Sequence, residues 1–222
     1  MNIIICGYGK MGHELEKELK NHNLFIVSKE TNLTFNDIED SIDVIIDFSY
    51  PDMISKIEDF LNKNKSTSLI IGTTSYNEEQ LDIIKKISKT HKVIMFTNYS
   101  KGINILFKLL ECLKKYTKDD MVYLIEKHHK NKKDIPSGTS VSIKEILNKD
   151  IPTFSIREGE ILGEHQLDVY FNYETISIKH IAYSRKAFVE GVVHILKQLE
   201  MLDVGLYTKE NLDIWKEKKL LN

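Results

Sequence analysis

Cysteine, proline and long apolar runs are all scarce in this sequence of 222 residues. Its two cysteines, Cys6 and Cys112, are too few and too far apart for a disulfide framework or a cysteine-rich metal site. Cys6 lies in an apolar run, so we expect a buried core residue. No apolar stretch reaches the roughly 18–20 residues that a membrane-spanning helix needs. The chain starts with an apparent strand and not with a signal peptide, so the sequence predicts a cytoplasmic protein.

The sequence also lacks an excess of either charge. Lysines and arginines number 31 against 33 acidic residues, for a net charge of −2. A chain with this balance has no bulk attraction to nucleic acid or to anionic lipid. We therefore expect neither nucleic acid nor a membrane as a partner.

Short apolar runs alternate with helical stripes over the first hundred residues. One helical stripe follows Gly9, a second is preceded by Ser49 and Pro51, and a third by Ser75–Glu78, which resembles a capping box. The apolar runs are continuous, which is typical of parallel strands covered on both faces. This repetition predicts an α/β fold of the Rossmann type, with a doubly wound parallel sheet. The predicted strands are Asn2–Cys6, Leu24–Ser28, Asp43–Asp47, Ser68–Ile71 and Lys92–Phe96.

The pattern changes after about residue 100. A long amphipathic helix begins near Ile103 and precedes a predicted strand at Met121–Glu126. From Gln166 onward apolar residues recur at every second position, as in antiparallel strands with one buried face. A last helix is predicted from Arg185 to Leu199. We therefore expect a dinucleotide-binding domain in residues 1–99, completed by 184–222, and a second α+β domain in 100–183 built on a mixed or antiparallel sheet.

A glycine-rich string, Gly7-Tyr8-Gly9-Lys10-Met11-Gly12, follows the first predicted strand and opens the first helix. Such glycines allow a tight turn, the approach of a pyrophosphate and close packing of helix on strand. The helix N-terminus adds free N–H groups for the phosphates. Because strand, turn and helix lie where the motif needs them, the string predicts dinucleotide binding.

Glu30 is the candidate to bind the adenosine ribose, since it follows the second predicted strand at the required distance. Ser28 and Lys29 beside it could instead bind a 2′-phosphate, and Glu30 could also be a merely solvated side chain. The sequence therefore leaves NADH and NADPH both open as cofactors.

A second polar group surrounds the adjacent histidines His128 and His129. Histidine can deliver a proton near neutral pH, and the lysines that follow could hold a dianionic substrate. The turn at 136–139 starts another helix and offers hydroxyls and N–H groups to a carboxylate. A solvated basic loop is the alternative interpretation. We predict no metal here, because adjacent side chains diverge and no further cluster of cysteine or histidine follows.

Three shorter polar strings follow predicted strands, at the edge where open α/β sheets bind ligands. Each alone is ordinary turn chemistry. Together they predict small polar groups along one edge of the sheet. The strings are Asp47-Phe48-Ser49, Gly72-Thr73-Thr74-Ser75 and Phe96 to Gly102.

Taken together, these strings resemble the dihydrodipicolinate reductase family, now named for 4-hydroxy-tetrahydrodipicolinate. They occur in the family's order and run over most of the chain, and the histidine-containing string is the most specific of them. The matching strings are GYGKMG (7–12), DFS (47–49), GTT (72–74), NYSKGIN (98–104), EKHHKNKKDIPSGT (126–139), REGEILGEH (157–165) and HIAYSRKAFVEG (180–191).

The resemblance implies roles for individual residues. His128 matches the family's general acid and Lys132 its partner lysine, and Glu30 would lie at the ribose. The residues that would grip the substrate carboxylates are His129, Ser137, Gly138 and Thr139. Those that would hold the pyrophosphate are Gly7, Gly9, Lys10, Met11 and Gly12. Those that would line the nicotinamide side are Gly72, Thr73, Thr74, Phe96, Thr97, Asn98 and Tyr99.

The resemblance further implies the reaction and the assembly. Hydride from NADH or NADPH would add to a conjugated dicarboxylate ring, and a proton would follow, giving tetrahydrodipicolinate for diaminopimelate and lysine synthesis. A homotetramer would assemble through the sheets of the second domain. The sequence departs from the family pattern at Ile135, Ser75 and Lys101, which puts cofactor preference and loop detail in doubt.

Two other functions stay open from the sequence. One is a different two-domain nicotinamide dehydrogenase, such as an enzyme acting on a semialdehyde. A covalent enzyme of that kind would need a reactive cysteine, and we expect Cys112 to be buried in a helix. The other is a dinucleotide sensor without catalysis, which the intact His128 and Lys132 disfavour.

Overall fold

The computed structural model describes residues 1–118 and 120–215, which form two compact units. The first unit comprises Met1–Tyr99 together with the described residues from Val189 onward, and the second comprises Ser100–Phe188. Within the described residues, no helix combines the length and the apolarity that crossing a membrane requires.

The first unit is built on a parallel sheet of six strands. Their order is β10-β5-β4-β3-β1-β2. Strand β2 lies on one side of β1 and strands β3, β4 and β5 lie on the other, so the strand order reverses between β1 and β3. Open α/β sheets bind ligands beyond the carboxyl ends of strands at such a reversal. The strands are β1 (Asn2–Cys6), β2 (Asn23–Val27), β3 (Val44–Asp47), β4 (Ser68–Ile71), β5 (Lys92–Met95) and β10 (Gly205–Tyr207).

Helices cover both faces of this sheet, and this explains the continuous apolar runs. Ile3 and Ile5 belong to one core with residues of α1 and α6, whereas Ile4 belongs to a second core with residues of α2 and α3. Burying one such side chain stabilises the fold by about 1.5–3 kcal/mol. The predicted doubly wound parallel sheet is therefore confirmed. The helices are α1 (Lys10–Glu18), α2 (Met53–Lys63), α3 (Glu78–Ile87) and α6 (Lys186–Leu196).

The second unit contains a mixed sheet of four strands in the order β7-β6-β8-β9. Only the β6–β7 pair is parallel. One face packs on α4 and α5 through an apolar cluster that includes Leu124 and Leu167, while the other face exposes residues such as Phe154. The predicted second domain on a mixed sheet is confirmed. The elements are α4 (Lys101–Leu113), β6 (Met121–His128), α5 (Gly138–Leu147), β7 (Thr153–Arg157), β8 (Glu164–Tyr170) and β9 (Thr175–Ile181).

Two strands and one helix end differ from the sequence prediction. Strand β7 was not predicted, because its apolar residues Phe154 and Ile156 lie on the exposed face and leave no core pattern. Strand β10 has only three residues, too few to show a period. The last helix ends at Leu196, and Leu199–Met201 forms a separate 3-10 turn.

The starts of helices α2 and α3 also differ from their predicted positions. Helix α3 is capped by Asn77, whose side chain accepts a hydrogen bond from the Gln80 N–H, and Gln80 completes the box. The box therefore lies two residues beyond the predicted Ser75, which adopts a positive φ of 67°. Helix α2 begins after Asp52, which makes no side-chain cap.

Candidate functional site

The glycine turn after β1 is shaped by three positions without side chains. Gly7 has a φ of +91°, and a Cβ there would lie 2.5 Å from the Phe48 carbonyl oxygen. A Cβ at Gly12 would lie 2.2 Å from the Gly7 carbonyl oxygen, so helix α1 can pack this closely only with glycine. A Cβ at Gly9 would meet nothing within 4 Å, and Gly9 is an N-cap without a side-chain hydrogen bond. Open space therefore adjoins the first N–H groups of α1, which suits a pyrophosphate.

A cleft of 620 Å³ extends from this turn along the end of β2. Glu30 lines it together with Lys29 and Lys56, so a carboxylate and two ammonium groups border the same space. The Ser28 hydroxyl also lines it but accepts a hydrogen bond from the Thr31 N–H at 3.1 Å. The predicted ribose residue and its basic neighbour thus lie together in one cleft.

The carboxyl ends of β3 and β4 are joined through Asp47, which is fully buried. Its carboxylate accepts hydrogen bonds from the Ser49 N–H at 3.1 Å and the Tyr76 hydroxyl at 3.1 Å, and the Ser49 N–H also reaches Thr73 Oγ1 at 2.9 Å. Burial raises the pKa of Asp47, and these hydrogen bonds partly oppose that shift. A Cβ at Gly72 would lie 2.1 Å from the Phe48 ring. The two polar strings predicted at this edge are therefore in contact.

The string after β5 divides into core and surface residues. Phe96 and Tyr99 are buried, and the Tyr99 hydroxyl donates to the Ile71 carbonyl oxygen. Burial raises the pKa of Tyr99. Thr97 is exposed and Asn98 is half-buried. Of residues 96–99, Thr97 and Asn98 therefore have side chains that reach the surface, whereas Phe96 and Tyr99 support the turn from the core.

In the second unit, the alternation of β6 brings Glu126 and His128 to the same buried face. One carboxylate oxygen of Glu126 is hydrogen-bonded to His128 Nδ1, and the other accepts from Arg157 Nη2 at 2.6 Å. Burial by itself would raise the pKa of Glu126. The hydrogen bonds from His128, Arg157 and Ser155 outweigh burial and lower the pKa to about 2.

His165 lies opposite Glu126 in the register of β6 and β8, and its ring centroid is 5.1 Å from that of His128. Its Nε2 is 3.1 Å from the Ser137 hydroxyl. Burial, followed by the charge of His128, lowers the pKa of His165 to about 3. His165 is therefore neutral at physiological pH, and it connects the histidine of β6 to the start of α5.

The start of α5 contains three of the four predicted carboxylate-binding residues, Ser137, Gly138 and Thr139. Ser137 is the N-cap, and its hydroxyl accepts from the Ser140 N–H at 3.3 Å. A Cβ at Gly138 would meet nothing within 4 Å, so there is open space beside the helix start. Lys132 forms an ion pair with Asp134 at 2.8 Å.

Asp134 interacts with two of the groups that were predicted to bind the substrate. Burial would raise its pKa, but Lys132 and the Gly138 N–H outweigh burial and lower it. An acid of the chain thus already interacts with one cation and one helix N–H that suit a carboxylate. Thr139 in the first turn of α5 and His129, which directly follows β6, are both half-buried.

Glu126, His128 and His165 form a group whose potential metal-ligand atoms lie within 4.8 Å of one another. The sequence argument against a metal, that no further cluster of cysteine or histidine follows, overlooked His165, which strand pairing brings beside His128. The Arg157 guanidinium beside Glu126 opposes a divalent cation, and Glu126 already binds the imidazole.

Sequence reasoning missed Glu126, Arg157 and His165 as parts of the site. A signal for Glu126 was present, since residues two apart on a strand share a face. Arg157 and His165 begin and end the family-like string 157–165, but no role was predicted for them, because only strand pairing brings them beside β6. Cys112 was also predicted incorrectly: it is exposed and not buried.

Two family models and several full-length relatives match this chain. The family model described as "Dihydrodipicolinate reductase, N-terminus" matches residues 1–99, and the one described as "Dihydrodipicolinate reductase, C-terminus" matches residues 102–212. The chain is 37% identical over 221 residues to a 4-hydroxy-tetrahydrodipicolinate reductase from Thermosipho africanus, covering 98% of this chain and 99% of that protein. A protein of the same name from Alkaliphilus oremlandii is 32% identical, with 96% and 98% covered.

Among solved structures, a dipicolinate-bound dihydrodipicolinate reductase from Paenisporosarcina sp. TG-14 has a TM-score of 0.72 at 20% identity. The match covers 96% of this chain and 99% of that one, and at this identity it supports the fold. The family models and the full-length relatives carry the assignment. The chain belongs to the dihydrodipicolinate reductase family, which confirms the family and the reductase activity in lysine biosynthesis that its motifs predict.

Proposed function

We propose that the first unit holds NADH or NADPH and that the second unit binds 4-hydroxy-tetrahydrodipicolinate and protonates it. The observation that carries this proposal is the buried pairing of His128 with Glu126, since it prepares an imidazole for proton transfer. A reductase of lysine biosynthesis that uses these cofactors is expected in the cytoplasm.

The glycine turn supports binding of the cofactor pyrophosphate by the backbone of residues 7–12. The space beside Gly9 and the helix start of α1 suit two phosphates. Lys10 and Met11 belong to this site, in the first turn of α1. The site continues at the end of β4 with Gly72, Thr73 and Thr74. Beyond β5 it includes residues 96–99. A bound reduced nicotinamide supplies the hydride.

The choice between NADH and NADPH depends on the cleft beyond β2. Glu30 would accept hydrogen bonds from the ribose hydroxyls of NADH and would repel a 2′-phosphate. Lys29 and Lys56 line the same cleft and would attract that phosphate. The mixed charge supports use of both cofactors.

The substrate is a small ring with two carboxylates. One carboxylate would be bound by Ser137, Gly138 and Thr139 at the start of α5, together with His129. Lys132 would release Asp134 and neutralise the charge of that carboxylate. The solved reductase from Paenisporosarcina sp. TG-14 is bound to dipicolinate, an aromatic ring with two carboxylates, and this supports the same ligand chemistry here. His128 would then deliver a proton to the ring carbanion that hydride addition creates.

The test is an assay of NADH and NADPH oxidation, side by side, with the freshly made product of the preceding synthase as substrate. We expect turnover with one or both cofactors and none without the ring substrate. Binding of the cofactor without turnover would favour a non-catalytic sensor. Turnover with a semialdehyde, and none with the ring, would favour a different dehydrogenase.

We further propose a homotetramer that assembles through the open face of the second sheet. This face exposes Phe154 and Met121, with exposed fractions of 57% and 69%, and Tyr123 contacts Phe154 edge to face. Contiguous exposed apolar residues on a sheet usually mark a protein interface. We expect Phe154→Asp to lower the mass measured by light scattering, while the control Tyr116→Asp, an exposed aromatic outside the sheet, leaves it unchanged. A monomeric native protein would contradict this assembly.

A further inference from the structure

Glu126 is a charged residue at a position that a sheet normally fills with an apolar one. It lies on the buried face of β6, after the apolar residues Val122 and Leu124, and none of its surface is exposed. A carboxylate in such a place is costly unless it is paired and hydrogen-bonded. Its partners therefore indicate why the fold keeps it.

Arg157 holds Glu126 in its ionised form. Its Nη2 donates to Glu126 at 2.6 Å and to the Asp134 carbonyl oxygen at 2.8 Å, and its Nη1 donates to the Ile156 carbonyl oxygen at 2.9 Å. Three contacts fix the guanidinium in place, and the Ser155 side chain adds a further hydrogen bond to Glu126. An ionised carboxylate only accepts hydrogen bonds, so the imidazole of His128 must be the donor through Nδ1.

The second ring nitrogen of His128 faces a position without a side chain. A Cβ at Gly163 would lie 3.3 Å from His128 Nε2, so glycine leaves room at that atom. The nitrogen bonded to Glu126 and the nitrogen beside Gly163 are thus distinct in their surroundings. A carboxylate on one nitrogen determines the tautomer and leaves the other for proton exchange.

We propose that Glu126 is the positioning residue for proton transfer: it keeps the proton of His128 on Nδ1 and so makes Nε2 the atom that protonates the substrate. This inference rests on the proposed function. In the step, the Nε2–H bond of the imidazolium breaks, its electron pair stays on Nε2, and the substrate carbanion forms the new C–H bond. Glu126 stays ionised throughout, and Arg157 keeps it so.

The charged and titratable groups around His128 come from several elements. Glu126 lies on β6 itself, Arg157 on β7 and His165 on β8, and Lys132 follows β6 in the loop. His180 of β9 lies beyond His165, with ring centroids 6.4 Å apart. Among these groups, only Glu126 is negatively charged and in contact with the His128 ring. Its removal should therefore change the pH dependence of His128 chemistry more than removal of any other carboxylate.

The first test measures the tautomer in the unmodified protein. Histidine labelled with ¹⁵N distinguishes Nδ1–H from Nε2–H by NMR, and loss of signals in His128→Ala identifies the residue. We expect neutral His128 to carry its proton on Nδ1, with a strongly downfield N–H resonance. A proton on Nε2 in neutral His128 would overturn the proposal. This readout needs no substrate, so it separates failure of the positioning role from failure of the proposed function.

The second test compares Glu126→Gln with the control Glu174→Gln, which makes the same change in the exposed turn between β8 and β9. We expect Glu126→Gln to lower kcat by about 10-fold or more, up to the full contribution of about 10²–10⁴-fold for general acid catalysis, and to leave cofactor affinity unchanged. The alkaline limb of its kcat–pH profile should move to lower pH, because an amide stabilises the imidazolium less than a carboxylate. A profile and kcat equal to those of Glu174→Gln would contradict the role.

Two further variants protect the test against misfolding. Glu126→Asp keeps the charge and should retain more activity than Glu126→Gln, with thermal unfolding as the check on structure. In a His128→Ala background, Glu126→Gln should have no further effect on kcat, because the residue acts through the imidazole. An equal loss in both backgrounds would show that Glu126 acts without His128, and the proposal would then be wrong.

Discussion

The two units build their sites from different parts of the chain. In the first unit, the glycine turn offers backbone N–H groups and empty space, and Gly7 and Gly12 are required by contacts of 2.5 Å and 2.2 Å that a Cβ would make. In the second unit, side chains of three strands form the proposed site, with Glu126 between His128 and Arg157. A site made of backbone groups is disturbed mainly by substitutions that add volume. A site made of side chains is disturbed mainly by substitutions that change the charge.

The sheets differ in the same way. The six-stranded sheet is covered on both faces, so its strands are apolar throughout. The four-stranded sheet buries one face and exposes the other, and its buried face carries Glu126 and His128 beside the apolar Val122 and Leu124. In the proposed function, the six-stranded sheet holds the cofactor and the four-stranded sheet carries the proton donor, and substitutions can test this division.

The largest effect is expected from the second unit. We predict that His128→Ala and Lys132→Ala each lower kcat by about 10²–10⁴-fold, because they remove the proton donor and its neighbouring charge. Cofactor affinity, measured by fluorescence titration of NADH, should stay the same, since the glycine turn lies in the other unit. Near-normal kcat in both variants would contradict the assigned roles.

The corresponding change in the first unit should have the opposite signature. In Gly12→Val a side chain would collide with the Gly7 carbonyl oxygen, so α1 would move away from the turn. We predict a loss of dinucleotide affinity of at least about 10-fold, or about 1.4 kcal/mol. Circular dichroism must show that the variant is folded. Unchanged affinity in a folded Gly12→Val protein would refute the proposed phosphate site.

A smaller effect is expected at the ribose end of the cleft. Glu30→Gln removes the carboxylate that would repel a 2′-phosphate while Lys29 and Lys56 remain. We predict that the ratio of kcat/KM for NADPH to that for NADH rises by up to about 10-fold, or about 1.4 kcal/mol. Glu79→Gln, an exposed residue of α3, is the control and should leave the ratio unchanged. An unaltered ratio in Glu30→Gln would mean that Glu30 is merely solvated.

A fourth effect concerns the pH dependence of stability and not catalysis or cofactor binding. The pKa of His165 is lowered from 6.5 to about 3, so below pH 6.5 the unfolded chain binds a proton that the folded unit excludes. The stabilisation that comes from a neutral His165 is therefore fully present above pH 6.5, and it is lost as the pH falls below that value. We predict that the free energy of unfolding falls by up to about 1.4 kcal/mol per pH unit between pH 6.5 and 4.5. The lower limit of this range is the ordinary pKa of glutamate, below which carboxylates also titrate.

His165→Asn should reduce this slope, as measured by urea unfolding at several pH values. The residual slope in the variant would come from His180, whose pKa burial also lowers. Equal slopes in His165→Asn and the native protein would show that His165 is protonated in the folded state, contrary to the burial that we describe.

Much of the first unit could be predicted from the sequence. The runs at Asn2–Cys6 and Ser68–Ile71 match strands β1 and β4 residue for residue, because buried parallel strands have an unmistakable apolar pattern. Strand β10 could not be predicted, since three residues of Gly205–Tyr207 join the sheet by pairing with β5 alone. The exposed position of Cys112 was also missed, because an apolar neighbourhood in sequence does not say which side of a helix is covered.

The second unit was harder to predict where its site is concerned. The string around His128 suggested acid–base chemistry, but the residues that control it come from β7 and β8. Arg157 reaches Glu126 only because β7 pairs in parallel with β6, and His165 lies opposite Glu126 only because β8 pairs antiparallel. No local pattern encodes such pairings over separations of about 30 residues.

The sequence by itself determined the parallel strands, the glycine turn and the presence of a histidine and lysines in one loop, since each follows from neighbours along the chain. Only the tertiary structure decided that Glu126 is buried between His128 and Arg157 and that His165 contacts Ser137. The physical reason is that local propensities act within a few residues, whereas the burial and pairing of charges depend on which strands meet.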